Sequence, residues 1–137
     1  MGYELTVEFK KVTKSGKILY CWFDRNWERF FAVSAKEVRL SLEKMSDELF
    51  KDEDVVQSYV YSSEGNGDCT EKGTNFEIDI KTCDVLDLHD IYSGEGVYVF
   101  VQGVDVETAA MVLSKHTCYA VKTEDDTLYR KGNKVSK

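Results

Sequence analysis

The sequence predicts an α+β fold, a single domain in which an antiparallel or mixed twisted sheet is packed by two helices. Three observations carry that expectation. Several short segments alternate apolar and polar residues with period two, as half-buried strands do. Only two segments carry helical periodicity, too few and too far apart for a series of βαβ units. The length of 137 residues suits one domain with its own core. The expected domain covers residues 1–131, and residues 132–137 are expected to form a flexible polar tail.

Leu5, Val7 and Phe9 alternate with Thr6, Glu8 and Lys10, which describes a strand with one apolar face. The polar stretch Thr13-Lys14-Ser15-Gly16-Lys17 predicts a hairpin turn. The return strand, Ile18 to Phe23, is apolar on both faces and should be central or covered on both sides. A helix follows. Ser34 is its expected N-cap, Glu37 completes a capping box, and Val33 with Val38 forms a hydrophobic staple. Val38, Leu42, Met45 and Leu49 fall on one apolar stripe. Arg39–Glu43, Lys44–Glu48 and Asp47–Lys51 are spaced for ion pairs elsewhere on that helix.

Residues 55–61 (VVQSYVY) predict a strand and residues 62–73 a loop. Phe76, Ile78 and Ile80 mark the inner face of another half-buried strand. Residues 84–92 fit either a short helix or a strand. Gly94 and Gly96 turn the chain into a β-rich run, Val97 to Val101. Asp105 then caps a second, shorter helix containing Ala109, Ala110, Val112 and Leu113. Cys118–Val121 and Leu128–Arg130, joined through Glu124-Asp125-Asp126, predict a closing hairpin. Proline is absent, so Gly, Asn, Asp and Ser must make the turns.

The chain carries 18 Lys and Arg against 25 Asp and Glu, a net charge of −7. That balance argues against a general nucleic-acid binder, which would show a basic stripe. The charge is unevenly placed: residues 1–51 carry +2, residues 52–90 carry −9, and residues 91–137 are neutral. An acidic stretch either keeps a surface solvated or steers the chain onto a basic partner. Asp84, Asp87 and Asp90 are three apart, would share one helical face, and are the acids expected to make such a contact. Glu64, Asn66, Asp68 and Thr70 have the spacing of the start of a calcium loop. Cys69, however, stands where that loop needs glycine, and Asn75 where it needs glutamate. No metal or other cofactor is expected.

The cysteines, Cys21, Cys69, Cys83 and Cys118, form no C-x-x-C pair. The start of the chain, MGYELTVEFK, has no apolar signal core. Four reduced thiols and a cytoplasmic location are therefore expected. No apolar run approaches the roughly 18 residues of a membrane helix.

Six of the 17 aromatic residues fall together: Tyr20, Trp22, Phe23, Trp27, Phe30 and Phe31. Their simplest role is a core seam, because aromatics bury large areas. The polar run from Asp24 to Arg29 also suits a surface loop presenting Trp27 (or Trp22) with Arg25 and Arg29. Trp and Arg are enriched at interface hot spots.

Catalysis has little to stand on. A nucleophile needs a nearby base. The only close pairings are His116 with Cys118 and Asp87 with His89, and neither Ser93 nor Ser114 sits in a nucleophile elbow. The expected function is a non-catalytic acidic binding module that engages and inhibits a basic protein, such as a nuclease or nucleic-acid-processing enzyme. Toxin-immunity and phage anti-defence proteins are the classes this profile suits, by composition alone. The expected partner-binding residues are Asp84, Asp87, Asp90, Trp27, Arg25 and Arg29. No direct nucleic-acid or membrane contact is expected. The alternative is a small-ligand binder sequestering a nucleotide or a divalent metal. An aromatic would then stack on the base while Arg25 and Arg29 hold phosphates.

Overall fold

The computed structural model describes residues 5–25, 35–62, 77–82 and 97–135. Strands β1 (Leu5–Thr13) and β2 (Ile18–Arg25) form the expected hairpin, in register from Leu5 opposite Arg25 to Val12 opposite Ile18. Its turn is closed by the Thr13 amide donating to the Lys17 carbonyl at 2.9 Å and the Gly16 amide donating to the Thr13 carbonyl at 2.9 Å. Gly16 has φ +97°, a conformation that side chains disfavour. Strand β3 (Val55–Ser62) pairs antiparallel with the other side of β1, its register shifting between Val12 and Thr13.

Beyond β2 lies β5 (Val97–Gln102), antiparallel to it. Strand β4 (Glu77–Thr82) runs parallel to both β5 and β6 (Ala120–Lys122). The antiparallel strands β7 (Leu128–Arg130) and β8 (Asn133–Lys134) follow, giving the order β3-β1-β2-β5-β4-β6-β7-β8. The sheet is therefore mixed, and the α+β expectation holds. A helix, α2 (Val106–His116), carries the chain from the end of β5 to the start of β6, so these two strands run the same way on either side of β4.

Helix α1 (Ala35–Leu49) packs beside α2. Together they face the continuous row Val7, Phe9, Leu19, Cys21, Val99, Ile80, Ile78, Val121 and Tyr129, all buried. Val38, Leu42 and Met45 of α1, with Ala109, Ala110 and Leu113 of α2, complete this core. Fully burying one such aliphatic side chain stabilises by about 1.5–3 kcal/mol, so the stripe decides which way each helix faces. Leu49, at the end of the predicted stripe, is only half-buried against the core.

Of the ion pairs expected from local spacing on α1, one forms and one is replaced. Arg39 does pair with Glu43 at 2.9 Å, and its Nε also donates to Ser62 Oγ at 2.8 Å, tying α1 to β3. Glu48 pairs not with Lys44 but with Lys115 at 2.7 Å and His116 at 2.9 Å, both on α2. A same-helix pair four residues apart contributes only about 0.2–0.5 kcal/mol, so two cations from the neighbouring helix outcompete it. The Asp105 cap forms as expected, its carboxylate accepting from the Thr108 amide at 3.1 Å.

Within the segment expected as a polar tail, Asn133 and Lys134 pair with Arg130 and Tyr129. Gly132, at φ +84°, makes this turn, and its amide donates to Ser114 Oγ on α2 at 3.0 Å. The Val135 amide donates to the Leu128 carbonyl at 2.9 Å. Ser34, Val33, Phe76 and residues 84–92 lie outside the described residues. Among the described residues, no helix is long and apolar enough to cross a membrane.

Candidate functional site

Of the six residues expected to bind a partner, Asp84, Asp87, Asp90, Trp27 and Arg29 lie outside the described residues. Arg25 is the last residue of β2, opposite Leu5, and its side chain is likewise outside the description. The described part of the molecule therefore brings none of the six together.

The acidic stretch is divided by the fold. Asp52, Glu53 and Asp54 precede β3 at one edge of the sheet, while Glu77 and Asp79 sit on β4 in its interior. Four strand spacings, about 19 Å at roughly 4.8 Å each, separate β3 from β4. Each group has its own cation. Glu53 accepts from Lys17 at 2.9 Å and from Ser15 at 2.7 Å, which holds its carboxyl below the usual range. Lys122 lies 3.5 Å from Glu77, 3.7 Å from Asp79 and 4.0 Å from Asp126. Burial nonetheless pushes the Asp79 carboxyl up, against the pull of Lys122 and Lys81. Asp52 and Asp54 remain exposed at the mouth of β3.

Strand β3 is the feature the sequence did not single out. It stands at the end of the sheet, and among the described residues it has a strand neighbour, β1, on one side only. Its residues Val55 to Ser62 include no acid, lysine or arginine. Val56 is 63% exposed, Tyr59 54%, Tyr61 49% and Val55 43%. Val60 and Ser62 lie on the helix-covered side, with Val60 packed on the core and Ser62 bonded to Arg39. The segment VVQSYVY resembles a buried strand in composition because apolar content reports burial only on average. An uncharged run entered through three acids was the available signal.

The face of the sheet opposite the helices continues this surface. Tyr59 and Tyr61 stand beside Lys10 and Glu8 of β1, which stand beside Tyr20 and Trp22 of β2. Tyr20 in turn is opposite Phe100 of β5, and the Lys81 ammonium lies 5.1 Å from the Tyr98 ring centre. Tyr20, Trp22, Tyr98 and Phe100 are all half-buried. Tyr20 and Trp22, expected first as part of the core seam, thus lie on the face away from the helices, and Leu19 and Cys21 fill the core. Strand alternation is the reason: Cys21 stands opposite the buried Phe9 across the hairpin, and Leu19, two residues before it, points to the same side.

Among the described residues, Cys21, His116 and Cys118 can be assigned a state. Burial pushes the Cys21 thiol up to about 12, so it stays protonated and inert. His116 is held by Glu48, and Cys118 is disulfide-bonded. The expectation of four reduced thiols is therefore corrected at Cys118. Its partner is not among the described residues, since Cys21 is free. Sequence spacing cannot show which distant cysteines a fold brings within the 4.4–6.8 Å Cα separation that a disulfide typically needs. Among the described residues, no group of three or more His, Cys, Asp or Glu could hold a metal ion. A scan against protein-family models finds no match for this chain, and searches of curated proteins and of solved structures find none either.

Proposed function

We propose that this chain is a non-catalytic binding module that engages a basic protein and inhibits it. The observation that supports this reading is the exposed apolar edge at β3, where Val56, Tyr59 and Tyr61 face solvent behind exposed Asp52 and Asp54. Tyrosine is enriched at interface hot spots, and acids around an apolar patch select a basic partner and speed its approach. The acidic residues Asp84, Asp87 and Asp90 belong to the same proposal as contributors of charge. Cytoplasmic placement belongs to it too, and stands against the Cys118 disulfide, because such bonds persist mainly in oxidising compartments. Alkylation of free thiols at the moment of cell lysis, with Cys118 then read by mass spectrometry, decides the location.

The function is tested by affinity capture from host lysate at low and moderate salt, with the triple variant Asp84→Lys, Asp87→Lys, Asp90→Lys as parallel bait. The expected result is a basic protein held by the wild type and lost by the variant. Its activity should fall when the chain is added in equal amount. Capture of nothing, or of the same proteins by both baits, overturns the reading. A rise in melting temperature with a nucleotide or metal alone would favour sequestration of a small ligand instead.

A further inference from the structure

We propose that the outer edge of β3 accepts an extended, lysine- or arginine-bearing segment of another protein as an additional strand of the sheet. This rests on the binding-module reading above and names how the partner is held. A strand at the end of a sheet presents a row of backbone donors and acceptors, a template for strand addition. Proteins that avoid this shorten the edge strand, place lysine or proline on it, or cover it. Strand β3 is eight residues long and has neither lysine nor proline. Both of its faces are exposed over Val55 to Tyr59.

Charge decides the occupant. The segment entering β3, Asp52-Glu53-Asp54, is acidic, and among the described residues only Glu53 is matched, by Lys17. A second copy of the chain would bring two bodies of −7 together, and net charge of one sign opposes association. The opposite edge of a second copy is basic but offers only Asn133 and Lys134, too short to cover β3. A strand from a different protein, with small β-branched residues in its middle and lysines or arginines at its ends, fits both features. Main-chain hydrogen bonds would hold it along β3. Its apolar side chains would lie beside Val56, Tyr59 and Tyr61, and its cations beside Asp52 and Asp54.

The test uses the full chain and the labelled peptide KKVTVTVKK, with EEVTVTVEE as its charge-reversed control. A third peptide is the lysine peptide N-methylated along one edge. Fluorescence anisotropy at low salt should show the lysine peptide binding at least about tenfold more tightly than the glutamate peptide, with N-methylation abolishing binding. Hydrogen exchange should slow in residues 55–62 when the lysine peptide is added. The variant Tyr59→Lys should weaken binding about tenfold, its folding verified by an unchanged melting transition. Absence of binding, protection elsewhere in the chain, or equal binding of both charge forms overturns the proposal. So does a concentration-dependent dimer that already protects residues 55–62 without peptide. If a natural basic target is captured but leaves residues 55–62 unprotected, the strand-addition proposal falls and the binding-module reading stands. If the peptide adds at β3 but no basic target is inhibited, the reverse holds.

Discussion

At one edge of the sheet β8 offers two residues, Asn133 and Lys134; at the other, β3 offers eight, Val55–Ser62, with no charge among them. Exposed Arg130 and Lys131 flank the short edge, whereas Tyr59, Tyr61 and two valines stand on the long one. The short, cationic edge follows the usual protection against unwanted strand pairing, and the long one departs from it. Among the described residues the two edges thus differ in length and charge, and the strand addition proposed above is placed at the longer, uncharged one.

The comparison can be broken most severely from beneath. Phe9 is fully buried on β1, opposite Val60 of β3, so Phe9→Ala should cost about 3–5 kcal/mol. Urea unfolding measures this, and exchange in β3 should accelerate more than exchange in β7. A loss below 1 kcal/mol would mean that β3 is not held through this contact.

Cys118 lies just before β6, in the half of the sheet that ends at β8. Reduction should lower stability by about 2–4 kcal/mol. In denaturant, two of the four cysteines should react before reduction and all four after it.

Charging the open edge tests the contrast directly. Val56→Lys should shift stability by no more than about 0.5 kcal/mol, as for other exposed positions, while reducing aggregation measured by light scattering near the melting temperature. Lys134→Val at the short edge should leave aggregation unchanged. Equal effects at both edges would remove the distinction between them.

The smallest effects concern two carboxylates with opposite shifts. Burial raises the folded-state titration of Asp79, so its ionised form costs stability above that range, and the cost disappears as the pH falls below the unfolded carboxylate range. Asp79→Asn should therefore stabilise slightly at pH 7 and not at all in acid. Glu48 is shifted the other way by Lys115 and His116, so its contribution is present above the unfolded carboxylate range and fades as the pH falls through its lowered folded value. Glu48→Gln should cost less than about 1 kcal/mol at pH 7, converging with the wild type in acid. Chemical denaturation across pH 3–7 measures both signs.

Strands β1, β2 and β4, the stripe of α1 and the Asp105 cap could all be inferred from residues a few positions apart. The candidate site could not. VVQSYVY announces a strand, but nothing within those residues distinguishes an edge from a centre. The −9 stretch looks like one patch along the chain, yet Asp54 leads into β3 while Asp79 lies on β4, and three strands stand between those two.

The amino-acid order alone determined which residues alternate, which faces of β1, β4 and the two helices turn inward and where α2 is capped, because those are contests between neighbours. Tertiary structure decided which strand stands at the edge, that Glu48 joins α2 rather than its own helix, and that Cys118 is bridged. Period-two and 3.6-residue patterns specify faces. They do not specify neighbours, which depend on how distant segments share one buried layer.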